Sequence, residues 1–573
     1  MSARRGVLLF VLLLSVIGTA VLFAALRLRG PSGGASAGTM IVFDLPADLP
    51  ESDTPARPLS LGFRRSRYFM HEVVEGLRQA AADDDVRGLV MHVEDLDWGW
   101  AKAHEVRDAI LQFRSSGKPV YASLESGAEL EYLVATAADV IVMPPASVLQ
   151  LDGLSASAMF LRGTLEKLEV SPNFVQSGPY KSAIEQYTRT GMSPAAREAI
   201  DAVLDDEYAS LIDSLAAARG FTSEDVKHIL DAGPFVAEDA HSVGLIDSLV
   251  YDADVDSFAL ADFPDNVTTS DFADYIHDHA RSRSGQKIAL ITAAGTILPG
   301  KSRDVPGEES VMGSETMIDA LREARTRGSI KAVVLRIDSP GGSVQASDDI
   351  WREVKLLADE KPLIVSMSDV AASGGYYIAA PAHRIVAQPS TLTGSIGVYG
   401  GKLNIGGLFN KVGVTIETIT RGPHAGMMSP YRDFSPEERQ RYQQQVDAWY
   451  RMFLARVADG RGMSVAEADS VGQGRVWSGI DAWERGLVDT LGGLEVAIAL
   501  ARDAADLEGT GPIEVLPRVE HHWYEGVFEA MLEREQIASI PEMVSPVVRA
   551  WLTAARLQSG IAMALMPFSI EIR

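Results

Sequence analysis

Residues 361–386 read KPLIVSMSDVAASGGYYIAAPAHRIV. The apolar run PLIVSM predicts a buried strand, AASGG predicts a turn, and GGYYIAAPA predicts a short helix that leads into a second strand, RIVAQ. A strand, a helix and a further strand in succession are the unit of a parallel α/β sheet. In such sheets functional groups lie at the carboxyl ends of strands and at the helix N-termini that follow.

The same pattern occurs once more, earlier in the chain. Residues 118–142 read KPVYASLESGAELEYLVATAADVIV, and Ala135 matches Ala379 at an offset of 244. Further on, DAHSVGLIDSL at 239–249 matches DAWERGLVDTL at 481–491 at an offset of 242. A register kept over this length is not expected by chance, so the chain contains two copies of one domain.

The repeat sets the predicted domain boundaries. We expect an N-terminal segment at 1–39, a first copy at 40–283, a second copy at 284–510 and a C-terminal extension at 511–573. Each copy alternates β-branched runs, such as IALITAAG and KAVVLRI, with helical stretches, such as SDDIWREVKLLAD. The predicted fold class is therefore α/β, with two tandem domains that arose by internal duplication.

Composition excludes several classes of function. The 573 residues are 46% hydrophobic and carry a formal net charge of −26, which opposes nucleic-acid binding because that needs a basic surface. The chain has no cysteine, so it forms no disulfide and has no thiolate metal site or cysteine nucleophile. HEVVE at 71–75 lacks the second histidine of a zincin helix, and no phosphate-binding loop occurs. We expect neither a metal nor a cofactor.

The N-terminal segment predicts a transmembrane helix. Residues 6–26 read GVLLFVLLLSVIGTAVLFAAL, which is 21 residues without a charge. A helix of that length crosses about 30 Å of hydrocarbon. A cleaved signal peptide is the alternative, with ASA at 35–37 as its cleavage site, but this site lies beyond two arginines. We favour an uncleaved membrane anchor.

Ser373 has two interpretations. As the first residue of a helix it satisfies free backbone N–H groups, in the way that a serine N-cap does. As a nucleophile it lies where the helix dipole and the following N–H stabilise negative charge. DSPGGS at 338–343 forms a second glycine-rich turn at a strand end, and its N–H groups point outward.

The two copies differ at these positions. Glu129 of the first copy matches Ser373, and EDLDW at 94–98 replaces DSPGG. Conversely, Lys181 of the first copy matches Ala425 of the second. The differences are complementary. Lys181 is therefore either a surface lysine, as most lysines are, or the partner of Ser373 in one active site that both copies build.

Four motifs carry a resemblance to a known family. DSPGGS, DVAASGGYY, PSTLTGSIGV and GPYKSA resemble the signal peptide peptidase A family, also called protease IV, in its long two-domain form. The resemblance spans about residues 40–510. It implies a Clp/crotonase-like fold and a serine peptidase with a Ser–Lys dyad. The residue roles that it implies are Ser373 as nucleophile, Lys181 as general base, Ser395 as the hydrogen-bond partner of the lysine, and the N–H groups of Gly341 and Gly374 as the oxyanion hole.

The resemblance also implies a setting for the enzyme. The expected substrates are residual signal peptides, the expected location is the bacterial inner membrane with the domains on the periplasmic side, and the expected assembly is a homotetramer. One residue departs from the family pattern, because Asp369 stands where many members carry a small or apolar residue. We do not expect this departure to remove activity.

Three alternatives remain. A Ser–His peptidase would use His383, although no histidine follows Ser373 at the expected spacing. An acyl-CoA enzyme of the crotonase type would use an acidic residue such as Glu129. A catalytically inactive membrane scaffold is the third, and the intact serine, glycine pair and lysine oppose it.

Overall fold

The computed structural model describes residues 38–52, 68–264, 266–279, 286–303, 310–507, 512–517, 563–565 and 571–572. The predicted anchor at 6–26 lies outside these residues. Within the described ranges, no helix has both the length and the apolar character needed to cross a bilayer.

Six parallel strands of the first copy form one sheet. Their order across the sheet is Thr268–Asp271, Thr39–Asp44, Val86–Val93, Val120–Leu124, Val140–Met143 and Ser248–Leu249. Alternate residues of Val86–Val93 enter different clusters, because Leu89 and Met91 pack on one face while Val90 packs on the other. Burial of both faces explains why the three successive residues Leu89, Val90 and Met91 are all apolar.

The second copy forms an equivalent sheet of eight strands. Their order is Val476–Trp477, Leu392–Gly394, Leu363–Ala372, Ile330–Ser339, Lys287–Ala294 and Ile513–Leu516, and Arg384–Ala387 and Thr490–Leu491 continue the sheet beside Leu363–Ala372. All pairs are parallel except that of Val476–Trp477 with Leu392–Gly394. Ile513–Leu516, in the predicted extension, therefore adds an edge strand to this sheet.

A third sheet joins the two copies. Its order is Val311–Gly313, Thr296–Leu298, Gly341–Ser343, Met563–Leu565, Val398–Asn404 and Ser171–Ser177. Ser171–Ser177 belongs to the first copy and pairs antiparallel with Val398–Asn404 of the second over seven residues. Two small sheets pair Val148–Leu149 with Phe235–Val236, and Ala156–Ser157 with Glu571–Ile572.

Helices cover the sheets in both copies. Those of the first are Met70–Ala82, Trp100–Ser115, Glu129–Ala135, Arg162–Lys167, Glu185–Thr188, Pro194–Arg219, Ser223–Ala232, Ala237–Ser242, Val255–Leu260 and Phe272–His279. Those of the second are Ser314–Thr326, Val344–Ala358, Gly374–Ala379, Gly406–Lys411, Pro436–Arg461, Val465–Val471, Gly479–Glu484 and Leu494–Ala504. The prediction of two α/β units is confirmed at this level of detail.

The longest helices show how closely local structure follows the repeat. Pro194–Arg219 and Pro436–Arg461 each span 26 residues, at an offset of 242. Each begins with proline after a serine N-cap, and each ends at a glycine in the left-handed region. Proline and glycine at these two positions define a helix start and stop, so the local sequence sets the length of both helices.

Candidate active site

Ser373 lies on a strained turn between strand Leu363–Ala372 and helix Gly374–Ala379. Its backbone has φ +55° and ψ −109°, a region that residues with a side chain seldom occupy. Its N–H donates to the carbonyl of Gly394 (2.8 Å), and its side chain makes no capping hydrogen bond to the helix. The geometry does not support the N-cap interpretation, because the hydroxyl is directed elsewhere.

Lys181 reaches the second copy through the third sheet. Strand Ser171–Ser177 carries the chain alongside Val398–Asn404, and a turn follows at Gly178, where φ is +95°. The N–H of Tyr180 then donates to the carbonyl of Gln473 (3.0 Å), which fixes the backbone next to Lys181. The first copy therefore delivers the lysine into a site whose other groups belong to the second.

The amine of Lys181 lies between two serines. Its Nζ is 2.7 Å from Ser373 Oγ and 2.9 Å from both the hydroxyl and the carbonyl oxygen of Ser395. The side chain is fully buried, and none of these partners is charged. Burial lowers the pKa of Lys181 well below its ordinary value of 10.5, because the ammonium loses hydration without gaining a carboxylate. A neutral amine beside a hydroxyl can accept its proton.

Ser395 is held in place by its own backbone. Its φ is +47°, and its N–H donates to the carbonyl of Arg475 (2.7 Å). Its hydroxyl donates to the carbonyl of Gly474 (3.4 Å) while remaining close to the lysine. The amine of Lys181 therefore donates to both oxygens of Ser395.

The two glycine-rich turns abut each other. A Cβ built on Gly374 would lie 3.1 Å from the Cα of Gly341 and 3.0 Å from the amide nitrogen of Gly342. The N–H of Gly341 donates to Ser339 Oγ (3.2 Å), a partner that it must exchange for a substrate oxygen if it is to act in an oxyanion hole. The structure thus brings together all five residues singled out in the sequence: Ser373, Lys181, Ser395, Gly341 and Gly374.

Gly474 forms part of the wall around the lysine, although its local sequence does not predict this role. It has φ +81°, and a Cβ there would lie 2.5 Å from the backbone nitrogen of Lys181 and 2.6 Å from its Cβ. The VGQG run at 471–474 was a turn signal, but nothing local connects it with a lysine so far away in sequence.

We expect Gly474→Ala to lower turnover by about 100-fold, because a catalytic group displaced by about 1 Å costs that much. The measurement is kcat on a peptide substrate at fixed pH. Gly462→Ala is the matched control, because Gly462 is also left-handed (φ +64°) but has no atom near the added methyl. Equal turnover in the two variants would contradict a role for Gly474 in placing the lysine.

The residues that a Ser–His peptidase or an acyl-CoA enzyme would use make other contacts in this structure. His383 lies beyond the helix that follows Ser373, since that helix ends at Ala379, and its Nδ1 accepts the N–H of Leu363 (3.2 Å). Glu129 accepts the N–H groups of Asp152 (2.8 Å) and Gly153 (2.7 Å). In the first copy a carboxylate bound by backbone therefore occupies the position that the serine has in the second.

Comparison with known proteins finds one peptidase family and several serine proteases. The profile of peptidase family S49 matches residues 112–259 and 355–508, one segment in each copy. The chain is 37% identical over 446 residues to the chloroplastic serine protease SPPA of Arabidopsis thaliana, over 76% of this chain and 66% of that protein. It is 34% identical over 453 residues to protease 4 of Salmonella typhi, over 77% and 72% of the two chains. It is 31% identical over 455 residues to protease 4 of Haemophilus influenzae, over 74% and 71%.

Proposed function

Since this chain belongs to peptidase family S49 and is a serine peptidase, we propose that it acts through Ser373 as nucleophile and Lys181 as general base. The resemblance predicted from the sequence is confirmed by these relatives. The observation that carries the mechanism is the 2.7 Å contact between Lys181 Nζ and Ser373 Oγ in a fully buried setting.

The proposed reaction has two stages. Ser373 Oγ attacks the carbonyl carbon of the scissile peptide bond as its proton passes to Lys181 Nζ. The resulting oxyanion is stabilised by the N–H groups of Gly341 and Gly374. The C–N bond then breaks, the leaving amine takes the proton from Lys181, and Ser373 is left acylated. A water molecule, deprotonated by Lys181, releases the acid and restores the serine.

Active-site labelling tests this assignment. A fluorophosphonate probe reacts with an activated serine, and peptide mapping then locates the label. We expect the label on Ser373. Label on another serine would contradict the assignment of the nucleophile, and no label at all would favour an inactive scaffold or an acyl-CoA enzyme.

Peptide substrates can replace the strand Met563–Leu565, which occupies the edge of Gly341–Ser343 beside the nucleophile here. Met563–Leu565 pairs antiparallel with Gly341–Ser343, next to the turn that carries one of the proposed oxyanion donors. An extended peptide can pair with the same backbone groups, which is the strand-addition mode of peptide recognition. We propose residual signal peptides as the substrates, and a Clp/crotonase-like fold for each copy.

The proposed anchor rests on the apolar segment 6–26, and the proposed membrane and orientation rest on the resemblance to the family. We propose that this segment anchors the chain in the bacterial inner membrane, with both copies on the periplasmic side. Fractionation of the full-length chain, followed by protease treatment of intact spheroplasts, tests both parts. Recovery in the soluble fraction would contradict the anchor, and protection from the protease would contradict the orientation.

We propose that the chain forms a homotetramer, and an exposed apolar segment supports this proposal. At the offset of 244, strand Ser171–Ser177 corresponds to residues 415–421, which form no strand here. Val412, Val414, Ile416 and Ile419 in and beside this segment are 67%, 45%, 40% and 80% exposed. Several exposed apolar side chains close together in sequence are consistent with an interaction surface. By analogy with the pairing within the chain, the segment adds to the first copy of a neighbouring molecule at 154–160.

We expect Ile419→Asp to break this association, because burying an unpaired carboxylate in an apolar interface is strongly unfavourable. The measurement is molar mass by light scattering. Tyr251→Ser is the matched control, since Tyr251 is 62% exposed on the other copy. A monomeric native chain, or an Ile419→Asp variant with undiminished mass, would contradict the proposed interface.

A further inference from the structure

A buried charge cluster joins the two copies beneath the active site. Arg336, in strand Ile330–Ser339, donates to both carboxylate oxygens of Glu51 (2.9 and 3.1 Å) and pairs with Glu105 (2.9 Å). Both acids belong to the first copy, and Arg336 is only 1% exposed. Burial raises the pKa of Glu51, but Arg336 and Lys102 outweigh it and hold the value at about 2. This carboxylate therefore stays ionised.

Lys102 extends the cluster toward the active site. Its Nζ lies 3.6 Å from a carboxylate oxygen of Glu51, of Asp338 and of Asp369. Asp338 and Asp369 belong to the second copy, and they lie on the two strands that end in the glycine-rich turns. A lysine of the first copy is thus ion-paired with both strands that carry the chemistry.

Those two strands contain a bulge at this point. Pairing resumes at Ser339 and Ala371 after three residues, 368–370, that face Asp338 alone. The carboxylate of Asp338 accepts the N–H of Val370 (3.2 Å), which satisfies a donor that the bulge would otherwise leave without a strand partner. The bulge lies in the turn-proximal part of strand Leu363–Ala372 and ends three residues before Ser373.

Asp369, within the bulge, caps a helix of the other copy. Helix Trp100–Ser115 begins after Gly99, which has no side chain with which to cap it. Asp369 accepts the N–H of Gly99 (3.2 Å) and of Lys102 (2.8 Å), as an N-cap side chain does. A Cβ on Gly99 would lie 2.2 Å from Asp369 Cγ, so the glycine makes room for the carboxylate. The helix dipole favours a negative charge there.

We propose that Asp369 is a positioning residue, which fixes the bulge against the first copy and so sets the distance between Ser373 and Lys181. The first copy then has two roles, because it supplies the base and also holds the strand that carries the nucleophile. This proposal rests on the proposed role of Ser373.

The test compares Asp369→Ala, Asp369→Asn and Gly99→Ala in the full-length chain. The rate of fluorophosphonate labelling at Ser373 is measured against pH, together with kcat and KM on a peptide. We expect both alanine variants to label about 100-fold more slowly, with kcat lowered and KM little changed, because the reacting groups separate. We also expect the apparent pKa of labelling to move, and Asp369→Asn, which keeps one acceptor oxygen, to be intermediate.

Asp108→Ala is the matched control. Asp108 lies on the same helix and accepts a hydrogen bond from Gln388 of the other copy (3.1 Å), away from the bulge. Native labelling in Asp108→Ala, with slow labelling in folded Asp369→Asn and Gly99→Ala, supports the proposal. Native rates and an unchanged pH profile in the Asp369 variants would overturn it. A native chain that does not label at Ser373 would instead overturn the proposed function.

Discussion

Ser373→Ala abolishes peptide hydrolysis, lowering kcat by about 10⁶-fold, while the chain stays folded. This decrease in kcat is large because the substitution removes the atom that forms the covalent bond to the substrate. Loss of the nucleophile in serine peptidases lowers kcat by about that factor. Alanine keeps the backbone and deletes one buried oxygen, so we expect a melting temperature close to that of the native chain. Turnover and thermal unfolding are measured on the same preparation.

Glu129→Ala provides the matched control for the nucleophile. Glu129 occupies the equivalent position of the first copy, where its carboxylate accepts two backbone N–H groups. We expect this variant to lose some stability, because the N–H groups of Asp152 and Gly153 lose their acceptor, but to keep its turnover. A folded Ser373→Ala variant with near-native turnover would refute the assignment of the nucleophile.

Lys181→Ala lowers kcat by about 10³-fold or more, because it removes the proposed base while leaving the serine and the oxyanion donors. Lys181→Arg has an equally large effect, since a guanidinium stays protonated and cannot accept the proton. Replacing His383 by alanine changes turnover little. A Lys181→Arg enzyme with native kcat would mean that the base lies elsewhere.

The pH dependence follows from the same lysine. Activity rises with pH as Lys181 loses its proton, and the apparent pKa lies well below 10.5 because burial disfavours the ammonium. The profile of kcat/KM reports the free enzyme. A midpoint near 10.5 would contradict a buried, neutral base.

The contribution of Lys181 to stability also rises with pH, as the activity does. At pH values between the lowered pKa of Lys181 in the folded chain and 10.5, this side chain is protonated in the unfolded chain but neutral in the folded chain. Its contribution to the free energy of unfolding therefore rises with pH over this range. Each unit of pKa depression corresponds to about 1.4 kcal/mol. Lys181→Met, which removes this effect, is expected to be more stable than the native chain at neutral pH, with the difference shrinking toward pH 10.5. Denaturant unfolding at several pH values measures it.

The sequence by itself determined the repeat, the α/β elements and the two groups that differ between copies. These features are encoded locally: apolar runs predict the strands, a serine and proline followed by a glycine delimit the 26-residue helices, and the offset of 244 relates Ser373 to Glu129. The pairing of Lys181 with Ser373 could be inferred because each copy lacks what the other has. No distance could be inferred in this way.

Only the tertiary structure decided how those groups meet and what surrounds them. A strand of the first copy pairs with a strand of the second, which brings Lys181 within 2.7 Å of a serine that is 192 residues away. The same packing places Gly474 against the lysine and Asp369 on the helix that begins after Gly99. Such contacts depend on how two sheets and their helices pack together. Local propensity carries no information about them, because it reads only the neighbours of a residue along the chain.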